Sequence, residues 1–333
     1  MINKSIALKV SNLHVEFDTY GGVIKAVRGV SFSIKKGLTT AIVGESGCGK
    51  SVTVQSIMGL IPKPPGKITR GEVYFEKQDI LKNKKINGKD IRGSKIGMIF
   101  QDPMTSLNPT MKIGDQVAET IQTHLGLSYS NAFKKAIDLL DLVQIPDAKQ
   151  RASQYPFELS GGMLQRSMIA MAVACRPSIL IADEPTTALD VTIQSQILSM
   201  LSDMQKENDM AIILITHDLG VVAEIADEVL VMYGGEIVEK GDVNEIYNNS
   251  SHPYTLGLKE AMPTNIKGEK KTLKPIEGSP PDLFRPPIGC SYFDRCPVAM
   301  NVCEKNRPET YEISKDHHTN CWAHHKYATN SFK

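Results

Sequence analysis

Eight consecutive residues of this 333-residue chain have the types and order needed to hold a polyphosphate. The run Gly44-Glu-Ser-Gly-Cys-Gly-Lys50-Ser51 places glycines first and sixth, then a lysine and a hydroxyl. Glycines let the backbone curl so that N–H groups from Gly47 to Ser51 point inward. A helix N-terminus behind them adds unpaired donors and a dipole that favours anions. Lys50 is then placed to reach the β/γ-phosphates of a nucleoside triphosphate, and the Ser51 hydroxyl to ligate Mg²⁺. With average residue usage the pattern arises by chance in roughly 1 of 100 chains this long. The bland alternative is a Gly-rich turn with an exposed lysine. The apolar run before the loop (Leu38 to Gly44) and the helical pattern after it argue against that. The loop therefore nominates Gly44, Ser46, Gly47, Cys48, Gly49, Lys50, Ser51 and Val52 for nucleotide binding, with Cys48 filling a small-residue slot.

A second cluster is acidic. Ile179-Leu-Ile-Ala-Asp183-Glu184 is an apolar strand ending in two carboxylates. Alternation along a strand sends neighbouring side chains to opposite sides, which predicts separate roles. Asp183 suits Mg²⁺ coordination, and Glu184 suits polarising an attacking water, an assistance worth ~10²–10⁴ in rate. His217 follows the strand AIILIT, at the kind of strand end where doubly wound sheets bind ligands. Solvated acids and a structural histidine are the ordinary readings of such residues in isolation. The phosphate loop is what favours the chemical ones.

These residues need a framework. Short alternating runs over 6–36 read as antiparallel strands, and LTTAIVG as a buried strand leading into the helix SVTVQSIMGLI. GEVYF and KIGMIF are strand-like, around a Lys/Asn-rich stretch NKKINGKD that reads as a solvated loop. IGDQVAETIQTHL and NAFKKAIDLLDLV carry apolar residues at three- and four-residue spacing, so a helical segment interrupts the α/β pattern. ILIADE, the helix TIQSQILSMLSDMQKE and AIILITH form a strand–helix–strand unit, which implies parallel pairing. VLVMYGGEIVEKG predicts a hairpin turning at Gly234-Gly235. Residues 263–289 are Pro-, Lys- and Gly-rich, consistent with an extended connector, and a Cys/His-rich end follows.

Bulk properties bound the function. Hydrophobic residues make up 41% and charged residues 23%, a globular mixture, and the net charge of +1 gives no basic field for nucleic acid. No apolar run approaches the ~20 residues a bilayer span requires, and MINKSIALKVSNLHVEF does not read as a signal peptide. Membrane association is expected to come through a partner. Four of the six cysteines fall near the C-terminal end, and a reducing compartment favours a metal site or free thiols over disulfides.

With these motifs in place the chain resembles the ABC transporter ATPase family over most of its length. Leu159-Ser160-Gly161-Gly162-Met163 resembles the signature LSGGQ, with methionine for the usual glutamine. Gln101 in IFQDP resembles the Q-loop glutamine, Ala188-Leu189-Asp190 the D-loop, and His217 the switch histidine; Tyr20 resembles the aromatic that stacks on adenine. The resemblance implies a P-loop NTPase core, a mostly parallel sheet flanked by helices. It adds an N-terminal antiparallel β subdomain, an inserted helical subdomain (about 102–175) and a C-terminal Cys-rich extension. The ATPase domain is read as 1–250 and the extension as 251–333.

The family's use of these motifs is implied by the resemblance and extends to residue roles. Glu184, His217 and Gln101 are expected to be catalytic, with ATP and Mg²⁺ as cofactors and Ser51, Gln101 and Asp183 around the metal. Ser160, Gly161, Gly162 and Asp190 are expected to reach a nucleotide held by a second subunit. Ser160 and two glycines opening a helix form an anion-receptive N-terminus in their own right. Because a helical insertion separates it from the phosphate loop, the implied solution is a head-to-tail pair of ATPases that close on ATP and drive transmembrane partners.

QDPMTSLNPTMKIGDQVAE (Gln101 to Glu119), SGGMLQR and His252-Pro253-Tyr254-Thr255 narrow the resemblance to the oligopeptide/dipeptide importer branch. That implies a second, homologous but different ATPase chain, two permease subunits and an extracytoplasmic solute-binding protein. It also implies a location on the cytoplasmic face of the membrane and no nucleic-acid partner. Nickel importers share these features. A non-transport ABC protein working on nucleic acid or ribosomes is the alternative from another class. The insertion is too short for the DNA-repair coiled coil, and only one GxxxxGKS occurs, against the two cassettes of translation factors.

Cys290, Cys296, Cys303 and Cys321 leave three readings open: free thiols, a structural zinc site or a [4Fe–4S] cluster. The C-x₂-C pairs typical of zinc are missing, and GCSYFDRCP resembles the cluster-binding tail of dipeptide-type subunits.

Overall fold

Strand runs and helical periods resolve as elements close to those the patterns predict. The computed structural model describes residues 5–82, 88–187, 189–262 and 274–328. Most of the loop NKKINGKD, the first part of the 263–289 connector and Ala188 lie outside the described residues. The strands in chain order are β1 (Ile6–Thr19), β2 (Gly22–Lys35), β3 (Thr39–Val43), β4 (Gly66–Phe75), β5 (Gln78–Asp79), β6 (Ile96–Ile99), β7 (Ile179–Asp183), β8 (Ala211–Thr216), β9 (Glu228–Tyr233), β10 (Glu236–Asp242), β11 (Tyr311–Ser314) and β12 (His317–Thr319).

The chain divides into two compact units, and the division is not sequential. The first comprises Met1–Ala7, Ile34–Thr39 and Asn83–Ile215; the second comprises Leu8–Ser33, Thr40–Lys82 and Thr216–Lys333.

In the first unit β6, β7 and β8 run parallel, with Ile96 opposite Ile179 and Asp183 opposite Ile215. Every residue of these strands is buried, the mark of parallel strands covered on both faces. The helix Val191–Asn208 makes the predicted crossover between β7 and β8. The helical insertion is present as Ile113–Leu125 and Tyr129–Leu142. Ile113, Val117 and Ile121 lie four apart on the buried face of one, and Ala132, Ala136 and Leu140 on that of the other. A third helix, Gly161–Val173, completes the group.

In the second unit an antiparallel sheet runs in the order β2-β1-β4-β5, with Leu8 opposite Phe75 and Phe17 opposite Gly66. A separate run of strands follows the order β3-β9-β10-β12-β11. β3 and β9 are parallel, Val43 facing Val231, whereas β9 and β10 form the expected hairpin. Its turn residues Gly234 and Gly235 have φ of 55° and 82°, the left-handed region that glycine occupies at no steric cost.

Described residues after 250 pack with earlier strands of this unit. β12 pairs with β10, and one core joins Ala41 and Val43 of β3, Val231 and Tyr233 of β9, Tyr254, Cys290, Tyr292 and Cys303. The phosphate-loop strand and the cysteine-rich end therefore bury the same apolar surface.

Candidate functional site

The phosphate loop joins β3 to the helix Lys50–Ile57. Gly44 and Gly49 have φ of 151° and 101°, and their surroundings admit nothing larger. A Cβ on Gly44 would stand 2.2 Å from the Met232 carbonyl oxygen, and one on Gly49 2.5 Å from that of Ala26. Gly47 differs: its φ of 78° needs glycine, yet a Cβ there would meet nothing within 4 Å, since the loop's apex is open to solvent. The walls thus shape the two ends of the loop and leave its centre free.

Lys50 is only 5% exposed, and its Nζ donates to the carbonyl oxygens of Gly44 and Glu45 at 2.8 and 3.0 Å. Those bonds pin the ammonium across the loop mouth. Thr53 ties the first helical turn down through Oγ1 to the Gly49 carbonyl at 2.8 Å. Cys48 is buried as the small-slot reading expects, and burial raises its thiol pKa. Ser46 and Gly47 are exposed, and Ser51 and Val52 half-buried.

In the other unit, Asp183 and Glu184 sit differently from the alternation argument. The strand ends at Asp183, which is buried, and Glu184 turns away with φ of 48°. A left-handed glutamate is strained, and such residues concentrate at functional sites. The two acids are separated by a backbone turn rather than by strand pleating. Glu184 Oε2 accepts from Gln101 Nε2 at 3.0 Å and from Thr187 Oγ1 at 2.9 Å. Gln101 and Glu184, 83 positions apart, are thus hydrogen-bonded, and Thr187 is a participant that sequence reasoning missed. Its spacing three residues after Glu184 is the only signal that was available.

Ser160 is the N-cap of the helix Gly161–Val173, its Oγ accepting from the Met163 N–H at 3.4 Å. A Cβ on Gly161 would meet nothing within 4 Å, so packing inside the chain does not account for glycine there. Met163 supplies only a backbone donor to the cap, and its replacement of glutamine leaves that cap intact. Asp190 caps the helix Val191–Asn208, accepting from Ile193 N–H at 3.0 Å. His217 is exposed just past β8, and Tyr20 is fully exposed in the β1–β2 turn.

The four C-terminal cysteines converge. Cys290, Cys296, Cys303 and Cys321 all line one pocket, together with His252, Tyr292 and Trp322. None of the four is joined in a disulfide. Burial pushes Cys290 and Cys296 up to about 11 and Cys321 up to about 12. Among the described residues no three His, Cys, Asp or Glu side chains are grouped so as to hold a metal ion. Cys175, the remaining cysteine outside the loop, is half-buried just beyond the helix Gly161–Val173.

This geometry fits what comparison with known proteins finds. The ABC transporter family matches residues 27–187, and the oligopeptide/dipeptide transporter C-terminal region matches residues 238–303. A dipeptide transport ATP-binding protein of Bacillus subtilis is 54% identical over 95% of this chain and 94% of its own length. An oligopeptide transport ATP-binding protein of the same organism is 52% identical over 98% and 91%. Among solved structures, a dimeric ATP-binding cassette in a post-hydrolysis state bound to ADP and Pi superposes with a TM-score of 0.64. It is 29% identical, covering 71% of this chain and 98% of that one. The chain belongs to the ABC transporter ATP-binding family, in its oligopeptide/dipeptide branch. No helix among the described residues is long and apolar enough to cross a membrane.

Proposed function

We propose that this chain binds and hydrolyses ATP to drive uptake of di- or oligopeptides through membrane permease partners. The observation that carries the reading is the phosphate loop, whose end glycines are walled in while its centre stays open, on a chain about half identical to peptide-transport ATP-binding proteins. Gly44, Ser46, Gly47, Cys48, Gly49, Lys50, Ser51 and Val52 bind the triphosphate, with backbone N–H groups as the principal donors. Ser51, Gln101 and Asp183 serve Mg²⁺, Glu184 and His217 act on the attacking water, and Tyr20 stacks on adenine.

Ser160, Gly161, Gly162 and Asp190 meet the nucleotide of a second cassette, a related but different chain. Support comes from the empty space around Gly161 and from the dimeric state of the structural relative. The permeases dock on the stretch after Gln101. A groove of about 330 Å³ lined by Ser106, Asn108, Met111, Gln116, Glu119 and Thr120 among others lies in this stretch. A solute-binding protein delivers the peptide, and the cassette works on the cytoplasmic face.

For the tail, we propose a [4Fe–4S] cluster on Cys290, Cys296, Cys303 and Cys321. The donor set is entirely soft sulfur in a largely apolar pocket, and iron would displace the protons that burial otherwise holds on Cys290, Cys296 and Cys321. The cluster would cross-link the end of the chain.

Two experiments test these readings. Cells lacking the chain should lose ATP-dependent accumulation of a labelled dipeptide, and unimpaired uptake would refute the transport role. Anaerobically purified protein should contain iron and acid-labile sulfide and absorb near 400 nm; a colourless protein carrying one zinc would overturn the cluster.

A further inference from the structure

Arg295 adjoins a pocket cysteine, Cys296, in sequence, yet its guanidinium ends on the phosphate loop. Nη1 and Nη2 donate to the two carboxylate oxygens of Glu45 at 2.7 and 3.0 Å, a two-pronged ion pair. The remaining donors are also engaged: Nε with the Glu277 carbonyl at 2.9 Å, Nη2 with that of Ile276 at 3.1 Å, and Nη1 with the Tyr233 hydroxyl at 3.2 Å. The side chain is 4% exposed and lies 5.7 and 6.0 Å from the ring centroids of Tyr233 and Tyr292. Tyr254, packed against Tyr233 at 4.5 Å, accepts from the Glu45 N–H at 2.8 Å. Backbone and side chain of Glu45 are thus both held by residues from β9 onward.

A carboxylate in a loop built to receive a triphosphate opposes its own ligand. Unpaired, at an assumed separation of about 10 Å, it would weaken binding by roughly two- to twenty-fold per phosphate charge, depending on the effective dielectric. A guanidinium on both carboxylate oxygens cancels that charge and fixes where it points. We infer that Arg295 is a positioning residue for nucleotide binding: it neutralises and pins Glu45, so the cysteine-lined segment that carries Arg295 sets the loop's affinity for ATP. This rests on reading Gly44–Ser51 as the nucleotide loop.

The test is a double-mutant cycle on the full chain, read as the Kd for Mg-ATP by calorimetry, with thermal melting alongside. Arg295→Met should raise the Kd roughly five- to twenty-fold. Glu45→Gln in that background should bring it back to within about two-fold of wild type, because the opposing charge is gone. A residue that merely holds the tail would lower the melting temperature, and Glu45→Gln would restore nothing. Arg295→Lys keeps the charge but loses the fork, so its smaller loss should also be reversed by Glu45→Gln; it decides the matter if Arg295→Met does not fold. Wild-type affinity in both Arg295 variants, or a loss that Glu45→Gln leaves in place, overturns the inference. Failure of the wild-type chain to bind ATP would instead refute the loop reading itself.

Discussion

Replacing Glu184 by glutamine separates charge from geometry in the acidic cluster. Oε2 of Glu184 is an acceptor for both Gln101 and Thr187, at 3.0 and 2.9 Å. A glutamine carbonyl oxygen in the same place accepts both bonds, so the turn at φ 48° and the link to Gln101 should persist. What disappears is the negative charge and the ability to take a proton from water. General-base assistance is worth ~10²–10⁴ in rate, equivalent to about 3–5.5 kcal/mol of barrier. Steady-state phosphate release from Mg-ATP should therefore fall at least about 100-fold, with the Kd for ATP within about two-fold of wild type. Parallel measurements of phosphate release and nucleotide binding check both halves. Turnover above about a tenth of wild type would remove Glu184 from its role as base. A comparable loss of ATP affinity would mean that the carboxylate serves binding instead.

Other perturbations address the loop and the tail. Lys50→Ala removes the ammonium that bridges Gly44 and Glu45, and should raise the Kd for ATP at least about ten-fold, seen by equilibrium binding. Gly44→Ala drives a Cβ to 2.2 Å from the Met232 carbonyl, so thermal melting should show a loss of more than about 2 kcal/mol together with abolished ATP binding. His252 is fully buried, and burial lowers its pKa to about 4 from 6.5. The unfolded chain then binds the extra proton first as pH falls, so stability should drop between pH 6.5 and 4, by up to about 3 kcal/mol from this group. His252→Asn keeps an acceptor for the Tyr254 N–H, and its melting temperature should decline less over that range.

Much of the architecture was readable because burial imposes periodicity. Apolar residues three and four apart marked helices over 113–125 and 131–143, which the structure places at Ile113–Leu125 and Tyr129–Leu142, and unbroken apolar runs marked β7 and β8. The proposed phosphate loop was readable for a different reason: Gly44 and Gly49 answer to walls supplied by backbone atoms and Gly47 to a left-handed φ, which constrain residue type at fixed spacing. The left-handed turn at Glu184 was not readable, since nothing local distinguishes it from a continuing strand.

By itself, the order of residues determined most of the strands and helices, and it nominated the loop proposed to receive a polyphosphate and the acids, histidine and serine proposed to attend it. These are local properties, written in spacing and side-chain type. Only the tertiary structure decided that Thr187 and Gln101 share one oxygen of Glu184, that four cysteines spread over 32 positions line one pocket, and that Arg295 ends on Glu45, 250 positions away. Long-range partners follow from strand order and from a shared core. No pattern within a segment encodes those choices, because an arginine's preferred carboxylate is whichever one the packing of distant strands carries to it.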